Sequence, residues 1–240
     1  MNKQMKKNDE VEEEYDKKEL KEHILFAPDT YAGGADMISE TLAVLKDNTI
    51  TIEETDFIPV IFNMWNEILV NARDQIIRLK DKKDAIQVTK IKLNFDEKTG
   101  RWTVFNDGES IPVEKHSKEK MYKAQLIFGE LLTSSNYKAG EKKIVGGKNG
   151  YGAKLTNIFS KQFYVETCDG VNMFKQTFYD NMSRKDEPII TKSKSKQYTM
   201  IKYLPDYAKF KTDGLSDTMI KIMEKRTYDV AAFTNNANIY

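Results

Sequence analysis

A glycine-rich stretch at residues 145–159, VGGKNGYGAKLTNIF, carries four glycines and two lysines just before an apolar run. Backbone N–H groups left accessible by glycine ahead of a helix can bind an anion, and Lys154 in the first helical turn adds positive charge. The glycines at 147, 150 and 152 are spaced G-x-x-G-x-G, which fits neither a Walker A loop nor the G-x-G-x-x-G dinucleotide fingerprint. The pattern predicts a phosphate site of another kind, with a flexible surface loop as the alternative.

A second group of polar residues lies on one side of a long apolar helix predicted to begin near Pro59. At about 100° per residue, Glu67, Asn71, Asp74 and Asn63 form a narrow stripe opposite the main apolar face. Facing a pocket, Glu67 could act as general base toward water and the Asn71 carbonyl could bind Mg²⁺, which prefers oxygen ligands and substrate phosphates. The alternative is an exposed edge where these groups meet water.

A third signal is FNDGESIPV, residues 105–113, at the end of a predicted strand. A carboxylate fixed beside Gly108 could accept a hydrogen bond from an exocyclic amine such as that of adenine, and Asp107 is the candidate. The alternative is ordinary turn chemistry at a hairpin end.

The elements that must position these residues follow from periodicity. VTKIKLNF and RWTVFND predict a β-hairpin closed at Gly100, and MYKAQLIFGELL and AKLTNIFS predict two short helices. QFYVETC, NMFKQTFY and QYTMIKYL predict strands, and a last helix is expected from about residue 215 to about residue 232. Helices followed by consecutive antiparallel strands indicate an α+β fold, with a mostly antiparallel mixed sheet covered by helices on one face.

Composition narrows the class of protein. The 240 residues are 40% hydrophobic and 31% charged, with 38 Lys and Arg against 37 Asp and Glu. The near balance means that a DNA partner would have to be contacted by a local patch. The single cysteine, Cys168, excludes a disulfide framework and a multi-cysteine zinc site within the chain. No apolar run reaches membrane-spanning length and no signal peptide opens the chain, so we expect a soluble intracellular protein without a membrane partner.

In order and with near-constant spacing, KEHILFAPDTYAGG, NEILVNARDQ, NDGESIPV, LIFGELLTSSNY and EKKIVGGKNGYGAKLTNIFS resemble the ATPase domain of eukaryotic-type DNA topoisomerase II. That domain has the Bergerat (GHKL) ATP-binding fold. The resemblance covers residues 15 to about 232, and it implies a flexible or dimer-exchanging arm at residues 1–22 and a GHKL ATPase domain at 23–240. The family's transducer and DNA cleavage core would lie outside this chain.

The resemblance also implies roles. Glu67 would be the catalytic base and Asn71 the protein ligand of Mg²⁺; Asp107, with Asn106 beside it, would meet the adenine amine, and Tyr15 would reach the partner subunit's nucleotide. The stretch from Gly147 to Lys154 would form a lid over the triphosphate, with Lys154 on phosphate and Lys148 at the rim of the lid. The positions matching the family's ATP-binding residues are Asn71, Asn106, Asp107, Ser134, Ser135, Asn136, Gly147, Lys148, Asn149, Gly150, Tyr151, Gly152, Ala153, Lys154 and Thr199.

Three residues depart from the family pattern: Ser110 replaces a glycine, and Arg73 and Gln75 stand where smaller or shorter groups are usual. The implied activity is an ATP-operated gate, in which Mg-ATP drives homodimerisation to trap DNA and the full-length enzyme relaxes or decatenates it. The expected location is the nucleus, or a host compartment or virion if the source is viral. The alternatives are a chaperone or mismatch-repair ATPase of the same fold, and a nucleotide-binding module that has lost hydrolysis.

Overall fold

The computed structural model describes residues 19–131, 151–234 and 237–240. Within these ranges six α-helices and ten strands are assigned, together with a 3₁₀ turn at Tyr207–Phe210. The helices are α1 (Leu20–Phe26), α2 (Pro28–Tyr31), α3 (Pro59–Leu79), α4 (Lys123–Gly129), α5 (Gly152–Ile158) and α6 (Asp217–Ala232).

Eight of the strands form one mixed sheet in the order β10-β3-β4-β9-β5-β6-β7, with β8 also pairing with β6. Only the β10–β3 pair is parallel among the pairs of the described chain. The strands are β3 (Lys90–Asp96), β4 (Arg101–Asp107), β5 (Ser160–Cys168), β6 (Asn172–Tyr179), β7 (Arg184–Lys185), β8 (Ile189–Lys192), β9 (Tyr198–Pro205) and β10 (Asn238–Ile239).

A separate hairpin joins β1 (Ile38–Lys46) to β2 (Thr49–Phe57) and packs on α6. Its two turn residues, Asp47 and Asn48, both have positive φ, as a tight hairpin turn requires. Asn and Asp tolerate that conformation better than other non-glycine residues, so the turn is local chemistry the sequence carries.

The hydrophobic core lies between the sheet and the layer of helices on one of its faces. Trp65 of α3 packs on Trp102 of β4, with ring centroids 5.8 Å apart, and Phe128 of α4 packs on Phe163 of β5 at 6.0 Å. All four side chains are at most 7% exposed. This packing sets the helix layer directly above β4, β5 and β9.

The predicted fold class is confirmed: an α+β domain with a mainly antiparallel sheet and helices on one face. The helix predicted from Pro59 and the hairpin closed at Gly100 (φ +68°) are both present. The last helix begins at Asp217 instead of 215, because Ser216 caps it by accepting from the Met219 N–H. The β1–β2 hairpin was not predicted.

The predicted arm at residues 1–22 overlaps α1, which begins at Leu20. Residues 1–18 lie outside the described part of the chain. In the described ranges no helix combines the length and the apolar character that a membrane crossing needs.

Candidate functional site

Helix α3 presents a polar line to a cavity beneath the helix layer. Glu67, Asn71 and Gln75 recur every fourth residue and all three line this cavity. The opposite side of the helix is held in the core by Ile61 and Trp65, each 1% exposed. Burial of that side fixes the rotation of the helix and so aims the polar line. Of the predicted stripe, Asn63 is placed elsewhere and donates to the Ala32 carbonyl at 2.8 Å.

The Glu67 carboxylate lies against the first residue of α5. A Cβ added at Gly152 would stand 1.8 Å from Glu67 Oε2, so only glycine leaves room for the carboxylate. Two side chains fix this approach: Thr156 of α5 donates to the Met64 carbonyl of α3 at 3.0 Å, and Asn157 donates to the Phe128 carbonyl of α4 at 2.9 Å. The three helices therefore hold Glu67 and the end of the glycine-rich stretch together.

The surroundings of Glu67 favour its neutral form. Burial raises the pKa of its carboxyl, and the like charge of Asp74, fully buried on the same helix, raises it further. A carboxylate whose pKa moves toward neutrality becomes a stronger proton acceptor, which suits a general base.

Asn106 and Thr199 form a second polar pair in the cavity, on the sheet. They lie directly opposite each other in the β4–β9 register, and both side chains line the cavity. The Thr199 hydroxyl is 3.4 Å from that of Thr167 on β5. Asn106 is 8% exposed and its Nδ2 donates to the Asp107 carbonyl at 3.0 Å, so its Oδ1 is the acceptor that can face a ligand amine.

Asp107 does not line this cavity. Successive side chains of a strand point to opposite faces, so Asn106 and Asp107 diverge. The Asp107 carboxylate accepts from the N–H groups of Thr89 (2.8 Å) and Lys90 (2.9 Å), and these bonds, with that from the Thr89 hydroxyl, hold the pKa of Asp107 below its usual value despite partial burial. Of this pair Asn106 faces the cavity, and contact of either residue with an adenine amine stays a prediction.

Two residues that depart from the family pattern tie down the loop at 109–112. Gln75 Nε2 donates to the Glu109 carbonyl at 2.8 Å, and the Ser110 hydroxyl donates to the Cys168 carbonyl at 2.7 Å. Gln197 supplies a third bond by accepting from the Ser110 N–H at 3.0 Å. The start of this loop is thus anchored both to α3 and to the end of β5.

Lys154 lies in the cavity wall at 2% exposure. Burial lowers the pKa of its ammonium to about 8, and the nearby carboxylate of Glu130 opposes that effect. A buried ammonium in a cavity wall favours an anionic ligand over a neutral one, because opposite charges attract more strongly where water is excluded.

The cavity has a volume of about 370 Å³, within the usual range for small-molecule sites. Sequence reasoning missed much of its wall. Gln75 could have been found by continuing the spacing from Glu67 through Asn71, but no pattern marks the others. The lining residues not predicted as site residues are Ile68, Ala72, Gln75, Arg78, Val104, Glu109, Ser110, Ile111, Pro112, Lys123, Ile127, Phe128 and Ile201.

The remaining predicted site residues fall into two groups. Gly152 and Ala153 line the cavity, whereas Tyr151 does not and packs, half-buried, against the core. Outside the described residues lie Tyr15, Ser134, Ser135, Asn136, Gly147, Lys148, Asn149 and Gly150. For these positions the predictions stand as predictions.

The donor set fits Mg²⁺ in one respect. Asn71 offers an amide oxygen on the wall that also carries Glu67. Within the described ranges no three His, Cys, Asp or Glu side chains cluster as a metal cage. An ion here would draw its remaining ligands from a substrate's phosphates and water, as Mg²⁺ commonly does.

Comparisons with known proteins by sequence and by structure find the same kind of protein. The chain is 41% identical over 242 residues to DNA topoisomerase 2-alpha of Homo sapiens, covering 100% of this chain but only 15% of that protein. It superimposes on the ATPase region of Saccharomyces cerevisiae topoisomerase II with a TM-score of 0.88 at 36% identity, covering 95% of this chain and 60% of that one.

A similar match is found to the ATPase and transducer domains of DNA topoisomerase II from Balamuthia mandrillaris, with a TM-score of 0.88, 40% identity and coverage of 95% and 59%. No protein-family model matches the chain. Sequence and fold agree along nearly all of its length, and the chain therefore belongs with the ATPase regions of eukaryotic-type DNA topoisomerase II.

Proposed function

We propose that this chain binds and hydrolyses ATP as the N-terminal gate of a type II DNA topoisomerase. The observation that carries the proposal is the placement of the Glu67 carboxylate against Gly152 in a cavity that also holds Asn71 and Lys154. A base, an amide oxygen, a buried lysine and a glycine backbone are the groups that hydrolysis of a phosphoanhydride needs within reach of one another.

In this mechanism the cavity first binds the nucleotide. The adenine ring of ATP would lie against the apolar wall of Ile111, Ile127 and Phe128. Its exocyclic amine would donate a hydrogen bond to Asn106 Oδ1. Lys154 would contact phosphate through its ammonium in a charge-assisted hydrogen bond. Exclusion of water by the apolar wall would strengthen both polar contacts.

Glu67 would then orient the attacking water and accept its proton. Its raised pKa supports this role, because a carboxylate in a dry site next to another acid holds a proton more readily. Asn71 would hold Mg²⁺, and the ion when bound would neutralise phosphate charge. Gly152 keeps the space that the Glu67 carboxylate needs.

At the scale of the whole enzyme, ATP binding would bring two subunits together to capture a DNA segment, and hydrolysis would reset the gate for relaxation or decatenation. The similarity to topoisomerase II supports this extension, although the chain spans only 15% of the length of its human relative. The nucleus is the compartment we propose for it.

Calorimetric titration with a non-hydrolysable ATP analogue, with and without Mg²⁺, tests the proposal. We expect one site per chain and at least tenfold tighter binding with Mg²⁺. Asn71→Ala should remove most of the Mg²⁺ dependence, while Asn63→Ala, a matched change on the same helix but outside the cavity, should keep it. Absence of analogue binding would defeat the proposal. Binding of the analogue, together with no hydrolysis of ATP itself in a separate assay, would favour a regulatory module.

A further inference from the structure

The large sheet has a second face that the nucleotide site does not use. Along β4, Trp102, Val104 and Asn106 point to the helix layer, so the alternate side chains Thr103 and Phe105 point away from it. The register carries this division across the sheet, since Phe105 pairs with Lys92 of β3 on one side and with Met200 of β9 on the other. We call this surface, centred on Lys92, Phe105, Tyr164, Tyr198 and Lys202, the open face.

Side chains on the open face contact solvent, whereas those on the opposite face are buried under the helices. Lys92 and Lys202 are exposed, and Phe105, Tyr164 and Tyr198 are half-buried. On the helix side, by contrast, Phe163, Val165 and Tyr203 are at most 1% exposed. Side chains of the described residues therefore cover one face closely and leave the rings and ammonium groups of the other in contact with solvent.

Basic groups are concentrated on this face. Lys90 and Lys92 follow one another at the two-residue period of β3, Lys202 lies on β9, and Lys175 lies on β6. The chain as a whole has a formal net charge of only +1, so this grouping is not a reflection of overall composition. It provides the local patch that a polyanion would require of a nearly neutral protein.

The acidic groups on the strands of this face, Asp96, Asp107 and Glu166, all accept local hydrogen bonds. Glu166 forms an ion pair with Lys175 at 3.5 Å and accepts from the hydroxyls of Tyr164 and Tyr198. Asp107 accepts from Thr89 and from the Lys90 N–H. Among the described residues no carboxylate lies within ion-pair distance of Lys92 or Lys202.

Aromatic rings stiffen the surface between the lysines. Phe105 and Tyr198 stack with centroids 5.4 Å apart and an interplanar angle of 29°. Lys202 Nζ lies 5.8 Å from the centre of the Tyr164 ring. The stacking of Phe105 on Tyr198, and the bonds from the Tyr164 and Tyr198 hydroxyls to Glu166, hold these rings in place between the lysines.

We propose that the open face contacts the phosphate backbone of duplex DNA. The strands β3, β4, β9, β5 and β6 span about 19 Å at ~4.8 Å per strand, and side chains two residues apart on β3 lie about 6.8 Å apart, close to two base-pair rises along one DNA strand. The inference deepens the proposed function, on which it rests for the identity of the polyanion: it gives the DNA partner a surface on the ATPase region itself.

Fluorescence anisotropy of the 240-residue chain with a labelled 20-base-pair duplex at low salt tests the proposal. The double variant Lys92→Glu/Lys202→Glu should weaken binding at least tenfold. It should also reduce the salt dependence, because each lost phosphate contact removes about 0.9 from the slope of log K against log salt. The matched control is Lys83→Glu/Lys118→Glu, which changes the charge equally at exposed loop positions and should change the affinity less than threefold.

Four outcomes would overturn the proposal: no duplex binding by the unaltered chain, equal weakening by the control variant, tighter binding of a single strand of the same length, or tighter binding of a polyglutamate peptide of the same charge. The last would indicate an acidic protein partner. Titration of each variant with the ATP analogue separates this inference from the proposed function. Retained analogue binding with lost duplex binding supports the open face, whereas lost analogue binding in the unaltered chain counts against the nucleotide site alone. Thermal unfolding of each variant checks that it is folded.

Discussion

The position of the Glu67 carboxylate, the candidate general base, depends on Gly152 having no side chain. Gly152 has no positive φ, so its backbone conformation is open to other residues, and the requirement for glycine is steric. The Glu67 carboxylate occupies the volume that any Cβ at position 152 would need. Gly152 therefore leaves the space that the Glu67 carboxylate occupies. This role is separate from phosphate binding by the glycines that precede it.

Gly152→Ala tests this steric role. Alanine suits a helix at least as well as glycine, so we expect the thermal midpoint to change by only a few degrees. The new Cβ would displace the Glu67 carboxylate, and single-turnover ATP hydrolysis should fall about 100-fold. Gly214→Ala is the control, since a Cβ there meets nothing within 4 Å. Undiminished turnover by Gly152→Ala would show that Glu67 does not act from the position described.

A pH dependence follows from Lys154. Its pKa is lowered from 10.5 to about 8, so the ammonium loses its proton as pH rises from 7 to 9. Affinity for the ATP analogue should fall several-fold across this range, and Lys154→Met should bind weakly with a flat profile. Between pH 8 and 10.5 the unfolded chain binds more protons than the folded one, so stability increases with pH there.

Deprotonation of Lys154 does not destabilise the folded chain, so weaker analogue binding at pH 9 cannot be attributed to unfolding caused by this residue. The measurement is calorimetric titration at several pH values with a thermal melt at each. A pH-independent affinity in the unaltered chain would contradict the assignment of Lys154 to phosphate.

Sequence reasoning selected two adjacent residues at the end of β4, and only one of them lines the cavity. Asn106 and Asp107 are adjacent, and Asp107 was preferred for its carboxylate. The deciding signal was present: Trp102 and Val104 are the buried residues of β4, and a period of two puts Asn106 on their side. The chemical type of a residue predicts what it can do, but strand register determines which cavity it faces.

At the scale of elements, long periodic segments were predictable and the β1–β2 hairpin was not. Helix α3 begins at Pro59 and has a clear apolar side. In β2 the inward residues include Thr51 and Glu53, whereas Ile50 and Ile52 are exposed at 58% and 75%. The hydrophobic pattern therefore marks the outer side of the hairpin, and only the Asp47–Asn48 turn indicates it.

The loop at 109–112 carries a prediction at this scale. Ser110→Gly would leave the Cys168 carbonyl without its donor, at a cost of about 1–2 kcal/mol, and would loosen a wall of the cavity. We expect affinity for the ATP analogue to fall three- to tenfold. Ser110→Ala separates the lost hydrogen bond from the added backbone freedom and should show a smaller loss. Binding by Ser110→Gly that is unchanged or tighter would contradict a positioning role for this serine.

At the scale of the whole molecule, the apolar part of the cavity could not be derived from sequence. Ile111 lies in the loop at 109–112 and Ile127 and Phe128 lie in α4, and these two segments share a cavity with Glu67 because α5 packs on both α3 and α4. Nothing in their local pattern distinguishes them from core residues. The polar half of the site was predictable from residue type and spacing, since buried carboxylates and amides are uncommon on a helix and need partners.

The division of the sheet into two faces organises the whole domain. One face carries the helix layer and the nucleotide cavity, and the open face carries lysines and aromatic rings. The two faces share strands β4 and β9, in which Asn106 and Thr199 face the cavity while Phe105 and Tyr198 face outward.

The central claim is that Glu67 is the base for ATP hydrolysis in this cavity. The most direct test compares Glu67→Gln with the unaltered chain by calorimetric titration of the ATP analogue and by single-turnover hydrolysis at high protein concentration. Glutamine keeps the size and polarity of the side chain but cannot accept the proton. The account predicts analogue binding within about threefold of the unaltered chain and hydrolysis at least 100-fold slower. Hydrolysis by Glu67→Gln at the unaltered rate would contradict it.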